Sequence, residues 1–395
     1  MLTVEVPRWR FSLNWCVLCA TLAVYCGTRA NAAAPPELGS GIVYTNYVFP
    51  QVPWSVHVVK MNRSDHDLEF HSTHARDSAI GLGTLSEQIR SFKPELGTPV
   101  AGVNGDFYVR DKAYAGDPRG LQILEGEVIS APVGGVSFWI DAGGKPHATN
   151  VNSLFKVTWP NGASTPIGLN EARTSKMVIL YTPALGRSTH TTNGLELVLE
   201  QAGEGPWLPL RIGTTYTTRV REVNQRANTA LSSNVMVLSI QPSMMDNLPT
   251  VEAGALLKIS TGTAPDLQGV KTAISGGPLL VHGGRRQSFG SPSGNASFGY
   301  EFRSMTERHP RTAIGWNEKD FFLLEVDGRQ PRLSVGMTLN ELADFLIDMG
   351  CKEAVNFDGG GSAMFWCNGR IMNSPCDKKE RAVANALLVV RKPGS

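Results

Sequence analysis

Between Asn356 and Ser362 the chain reads N-F-D-G-G-G-S, a carboxylate followed by three glycines and a hydroxyl. Consecutive glycines carry a large backbone-entropy cost, so a folded chain keeps them where no Cβ can be tolerated. A tight turn needs one such residue or two, not three. Four other polar clusters accompany this loop: Asn104-Gly105-Asp106, Ser275-Gly276-Gly277-Pro278, Arg311-Thr312-Ala313-Ile314-Gly315 and Asp327-Gly328-Arg329-Gln330. Each alone has a plain explanation. Asp327-Gly328 is a turn dipeptide, Arg311 can pair with a surface carboxylate, and a glycine pair inside a strand marks a bulge. Together, carboxylates at strand ends, arginines and bare backbone N–H groups suit acid/base chemistry on an anionic substrate.

Two short units must position these acids. Thr338 and Glu341 form a capping box, Leu339, Leu342, Phe345, Leu346 and Met349 give a helical apolar face, and Gly350 sits where a left-handed C-terminal cap belongs. A strand over Glu353 to Phe357 follows, which leaves Asp358 at its C-terminal end, where ligands commonly sit in α/β-type layers. The second unit repeats this grammar. Thr84 and Glu87 cap a helix with Leu85, Ile89 and Phe92 inward, the strand Val100 to Val103 follows, and Asn104-Gly105-Asp106-Phe107-Tyr108 closes it. If both strands pair in one sheet, Asp106 and Asp358 face each other across one cleft.

Elsewhere the apolar runs are short and strand-like: Ser55 to Lys60, Val136 to Asp141, Lys176 to Tyr181, Val235 to Ile240, Phe321 to Val326 and Leu387 to Val390. With 41 glycines and 24 prolines in 395 residues, the chain is rich in turns. The expected fold is α+β: a β-rich mixed sheet core with a few flanking helices, forming a single catalytic domain over 35–395. The stretch from Gly143 to Pro265 reads as an insertion or as the far half of a sandwich. Phe289 to Phe298, rich in Gly, Ser and Pro, reads as a mobile loop, with a lid over the site as its functional alternative.

A net charge of +2 with scattered Lys and Arg argues against nucleic acid as a partner. Residues 1–34 read as a signal peptide: Arg8 and Arg10, an apolar run from Phe11 to Cys26, and the small-residue site Ala30-Asn31-Ala32. An uncleaved anchor is the alternative; after cleavage no membrane span is expected. The protein is then exported, to the periplasm or the medium. Removing this segment leaves Cys351, Cys367 and Cys376, with a Cys367–Cys376 bridge across the Asn368-Gly369 turn and a Cys351–Cys376 bridge as rival pairings.

The chain has no H-E-x-x-H, G-x-S-x-G, Walker loop or G-x-G-x-x-G after a strand. Paired carboxylates remain, the usual apparatus of glycosidic bond cleavage. Six motifs then occur in order: N-G-D-F-Y, S-G-G-P, R-T-A-I-G, D-G-R, G-M-T-L-N-E-L-A-D at Gly336 to Asp344, and N-F-D-G-G-G-S. This set resembles the phosphodiester glycosidase family over roughly residues 100–390. The resemblance implies a hydrolase cleaving the bond between a sugar C1 and a phosphodiester. It departs at Asp106, where a second Gly is common in the family. No cysteine-rich or membrane-spanning segment follows the motifs, which points to an exported bacterial enzyme acting on envelope or extracellular glycosyl phosphates.

On this reading Asp358 is the nucleophile or base, and Asp327 or Asp106 is its partner. Arg311 holds the phosphate, with Arg329 a weaker candidate. Asn104, Asn356, Ser362 and the amides of Gly276, Gly277, Gly359, Gly360 and Gly361 supply the remaining substrate contacts. No cofactor and no metal are required, although Asp oxygens leave room for a bound Ca²⁺. The substrate is a glycosyl phosphodiester or an envelope polysaccharide. Two alternatives stand beside it. One is a non-catalytic envelope carbohydrate-binding protein. The other is a metal-dependent phosphodiesterase splitting P–O, which would need His-rich ligation, whereas the eight His residues are dispersed outside the motifs.

Overall fold

Short alternating or wholly apolar runs, punctuated by glycine turns, build three sheets with few helices between them. The computed structural model describes residues 38–75, 80–174, 177–289 and 302–394. These belong to one compact unit, Leu38–Ser395. The expected signal peptide lies outside the described residues, as does the Gly/Ser loop beyond Phe289.

A seven-stranded sheet holds the site's C-terminal motifs. Its order is Ile42–Phe49, Trp54–Asn62, Asp320–Val326, Arg311–Trp316, Glu353–Asn356, Leu279–His282 and Arg285–Arg286, antiparallel throughout. Its central strands are largely apolar and buried on both faces because both are covered. On one face the helix Leu339–Asp348 packs Leu339, Leu342, Ala343 and Leu346 against Val56, Leu324 and Ala313. On the other, Ile314, Leu323, Val355 and Phe357 meet Val103, Phe365 and Leu387. Those last three belong to a five-stranded antiparallel sheet: Arg370–Ile371, Phe365–Cys367, Thr98–Asn104, Asn385–Arg391 and Leu68–His74.

Both helix starts are as read. Thr84 and Thr338 each accept from the N3 amide while Glu87 and Glu341 return the bond. The Leu339–Asp348 helix ends with Gly350 at φ +90°, its N–H donating to Ile347 O at 2.8 Å and that of Cys351 to Leu346 O at 3.0 Å. This is the paired-bond glycine cap expected from sequence. Thr338→Ala removes one half of the box and should lower stability by about 1 kcal/mol; urea unfolding with an unchanged slope checks it.

The stretch from 143 to 265 is not a detached insertion. Its strands continue a twelve-stranded sheet that also contains Val133–Ile140 and Thr272–Ser275, over a core of Trp139, Phe155, Tyr216, Leu238 and Ile259. Among the described residues a single ladder is parallel, Gly168–Leu169 with Val178–Tyr181. The mixed core expected from sequence is thus nearly all antiparallel, because hairpin connections dominate. The α/β-layer analogy used to place Asp358 therefore does not apply. Nor do the two motif strands share a sheet: Thr98–Asn104 lies in the five-stranded sheet and Glu353–Asn356 in the seven-stranded one. Cys351, Cys367 and Cys376 are free thiols, so neither expected bridge is formed. Cys351 lies under Gly315, where a Cβ would stand 2.8 Å from its Sγ. Among the described residues no helix is long and apolar enough to cross a membrane.

Candidate active site

Although their strands lie in different sheets, the two acidic loops meet. The N–H of Asp358 donates to Gly105 O at 3.0 Å, and Asn104 Nδ2 donates to Asp358 O at 2.6 Å. Asn104 Oδ1 in turn accepts from Thr312 Oγ1 and from the Met364 N–H, at 2.7 and 3.0 Å. One buried amide side chain thereby ties three chain segments around Asp358.

The glycine run is explained by what crowds it. A Cβ on Gly359 would stand 2.6 Å from Pro310 O, and one on Gly361 would stand 1.8 Å from Arg381 Nη2. Gly360 adopts φ +62° with the Arg329 guanidinium about a Cβ contact away. Backbone at Gly359, a left-handed φ at Gly360 and the Arg381 guanidinium at Gly361 each work against a side chain here.

Asp358 opens onto a cavity of about 460 Å³, whose lining includes Tyr108, Arg110, Arg119, His309 and Arg329. Arg110, Arg119 and Arg329 are exposed, and among the described residues none forms an ion pair with a carboxylate. Arg110 lies over the Tyr108 ring, 5.6 Å from its centroid. Three uncompensated cations around one acid form a field suited to an anion. His309 is pushed down by burial and then by Arg311 and Arg329, which favours its neutral form.

Burial raises the pKa of Asp358 to about 6, opposed by the Ser362 hydroxyl, the Gly359 N–H, Arg110 and Arg381. Its Oδ1 accepts from the Gly359 N–H at 2.9 Å. Ser362 Oγ is buried and makes no hydrogen bond. Asp106 is driven higher, to about 7, by burial above all and by the charge of Asp358, despite accepting N–H bonds from Gly120 and Phe107. It lies outside the cavity lining. What it does hold is the loop 107–120, which presents Tyr108, Arg110 and Arg119.

These two raised values set a stability prediction. Above pH 7 both carboxylates are ionised in the folded and unfolded chains, and the folded state carries the desolvation cost. As pH falls through about 7 and then 6, the folded protein binds protons that the unfolded chain, near 3.8, does not. Stability therefore rises between pH 8 and pH 5. Urea midpoints at both pH values test this, and Asp106→Asn should flatten the difference.

Several expectations need correction. Asp327 does not line the cavity; its Oδ2 faces His57 Nε2 at 3.1 Å and its Oδ1 accepts from the Ser374 N–H at 2.7 Å. It points to the other side of its strand. Arg311 does line the cavity but is 1% exposed, and it donates through Nε to Met337 O and through Nη2 to Ser304 O and Glu307 O. It clamps the wall of the cavity, rather than reaching for a phosphate. The amides of Gly276 and Gly277 already donate to Val136 O and Asn356 O, and a Cβ on Gly276 would strike Asn356 O at 2.4 Å. Asn356 donates to Gly277 O and Phe357 O. These residues support the loop from beneath. Arg329, Gly359 and Gly360 remain at the cavity, whereas Gly361 and Ser362 are buried behind it. Sequence reasoning missed Arg110, Arg119 and His309. Two of them flank recognised motifs: Arg110 stands two residues past N-G-D-F-Y, and His309 two residues before R-T-A-I-G.

Residues 215–390 match the family model for phosphodiester glycosidases. The resemblance to that family is shown. The matched segment contains Arg311, Arg329 and Asp358, and the phosphodiester glycosidase resemblance read from motifs extends further toward the N-terminus. N-acetylglucosamine-1-phosphodiester alpha-N-acetylglucosaminidase of Bos taurus is 33% identical over 112 residues, 28% of this chain and 20% of that protein. This chain thus spans about a fifth of that relative's length. A hypothetical protein from Synechocystis superposes with a TM-score of 0.70 at 19% identity, covering 92% of this chain and 65% of the other. A Burkholderia pseudomallei protein described as exported gives 0.66 at 20% identity, covering 85% and 74%. At such identities these two speak to the fold alone.

Proposed function

We propose that this protein is an exported hydrolase that cleaves the sugar C1–phosphate bond of glycosyl-1-phosphodiesters. The observation that carries this reading is one carboxylate, raised to about 6, opening into a cavity ringed by Arg110, Arg119 and Arg329. A carboxylate near neutrality can accept a proton from water or attack C1 itself. The arginines match the phosphodiester charge and the phosphomonoester charge that replaces it. The leaving oxygen is already stabilised by phosphorus, so protonating it matters less than delivering the nucleophile and supporting oxocarbenium character.

In the overall reaction a water oxygen bonds to C1, the C1–O(P) bond breaks, and a phosphomonoester departs with its electron pair. Asp358 takes the role of nucleophile or base. Asp106 holds the loop carrying two of the arginines through the N–H bonds that it accepts from Phe107 and Gly120. Tyr108 and Phe107 supply apolar wall against a sugar ring. The name of the bovine relative supplies the first substrate to try, an N-acetylglucosamine-1-phosphodiester. Residues 1–34 would serve as the export signal, and the rest as the catalytic domain.

Hydrolysis in ¹⁸O water tests the bond cleaved. Label in the sugar supports C–O cleavage. Label in the phosphate transfers the reaction to a phosphodiesterase splitting P–O, and binding without turnover of any glycosyl phosphodiester leaves a carbohydrate-binding protein.

A further inference from the structure

His57 and Glu325 stand directly opposite one another in the ladder between Trp54–Asn62 and Asp320–Val326, and Asp327, the residue just past the second strand, lies beside them. All three are buried, at 3%, 0% and 1% exposure. One ligand-capable atom from each lies within 4.8 Å of the other two. We propose that His57, Glu325 and Asp327 form a buried divalent metal site, selective for a first-row ion of the zinc or manganese type, separate from the Asp358 cavity.

The outer atom of every member is already held. His57 Nδ1 meets Tyr44 Oη at 2.8 Å, Asp327 Oδ1 accepts from the Ser374 N–H at 2.7 Å, and Glu325 Oε1 accepts from Asn373 Nδ2 at 3.1 Å. That pattern orients a ligand set with one inward atom per residue, of which His57 Nε2 and Asp327 Oδ2 hydrogen-bond to each other, a bond that an ion would replace. Those inward atoms are His57 Nε2, Asp327 Oδ2 and Glu325 Oε2. Glu325 Oε2 is buried and has no hydrogen-bond partner. An unpaired, fully buried carboxylate oxygen is expensive, and the structure around it supplies no donor.

The spacing fits an ion as well. His57 Nε2 and Asp327 Oδ2 are 3.1 Å apart, close to the ~3.3 Å edge of a tetrahedron with bonds of ~2.0 Å. Ser55 Oγ, 3.4 Å from the same Nε2, is a candidate fourth donor. A divalent cation would balance two carboxylates and one neutral imidazole without leaving net charge in the core. One imidazole with two carboxylates suits zinc or manganese, whereas calcium takes six to eight oxygens and would be under-coordinated here.

The full chain is stripped with chelator and titrated with Zn²⁺ or Mn²⁺ alone, with binding read by calorimetry and thermal unfolding. We expect close to one ion per chain and a rise in melting temperature of about 5 °C, since an ion bound to the folded state alone stabilises it by mass action. Glu325→Gln, which keeps shape and the Asn373 bond, should lose both while retaining the native circular dichroism spectrum. Co²⁺ should give visible ligand-field bands in the native protein and none in Glu325→Gln. The site is overturned if neither ion binds the native chain. It is equally overturned if Glu325→Gln binds with unchanged affinity, which would place the ion on surface histidines. Neither result touches the C–O cleavage assay, so the two proposals fail separately.

Discussion

Asp358→Asn leaves the fold intact and lowers turnover of a glycosyl-1-phosphodiester at least ~100-fold, the range for loss of a general acid/base group. The expectation rests on two features of the loop. An Asn Oδ1 can still accept the Gly359 N–H, and the Asp358 main chain remains held by Gly105 and Asn104. What disappears is a charge that burial already disfavours, so the variant should melt at or above the native temperature at pH 7. Native turnover should fall as pH drops through about 6, where Asp358 takes up its proton; residual activity in the variant should lack that limb. Phosphomonoester release under saturating substrate measures the rate, and circular dichroism measures the fold. Unchanged turnover would remove Asp358 from the mechanism, while lost turnover with a collapsed melting curve would make it a structural residue.

The sequence disclosed most of what local physics encodes. Two capping boxes, the glycine cap at Gly350 and the strand before Asp358 depend on neighbours within a few residues, and all are found. The repeated helix–strand–acid grammar pointed to two neighbouring loops, and they do touch through Asp358 N–H and Gly105 O, but the strands lie in different sheets and Asp106 stays outside the cavity that Asp358 lines. What escaped depends on which way a side chain points after long-range pairing. Asp327 and Arg329 are two residues apart, yet Asp327 turns into the core beside His57 while Arg329 enters the cavity. A left-handed conformation at Arg329, φ +58°, reverses the alternation that a strand would impose. Arg311 looked like a phosphate ligand because arginines at strand mouths often are. Its carbonyl partners come from Met337, Ser304 and Glu307, and no local pattern announces them. His57 lies 270 residues from Asp327 and was invisible for the same reason.

That contrast among the arginines gives the second large effect. Arg110→Ala with Arg329→Ala should reduce kcat/KM for the phosphodiester by roughly 100-fold, while a neutral aryl glycoside of the same sugar changes less than about threefold. Each guanidinium supplies one charge-assisted contact in a partly exposed cavity, and such contacts contribute about 1.5 kcal/mol at the low end, near tenfold apiece. Exposure also makes the effect salt-sensitive: raising ionic strength should narrow the gap between native and doubly substituted protein, since screening already weakens the native attraction. Arg311→Ala should behave differently. Its guanidinium is buried on three main-chain carbonyls. Removing it leaves them unpaired at about 1–3 kcal/mol each, so stability and both substrates suffer together. Equal losses on charged and neutral substrates for the Arg110/Arg329 pair would instead mean that these residues only shape the loop, and the anionic substrate would lose its main support.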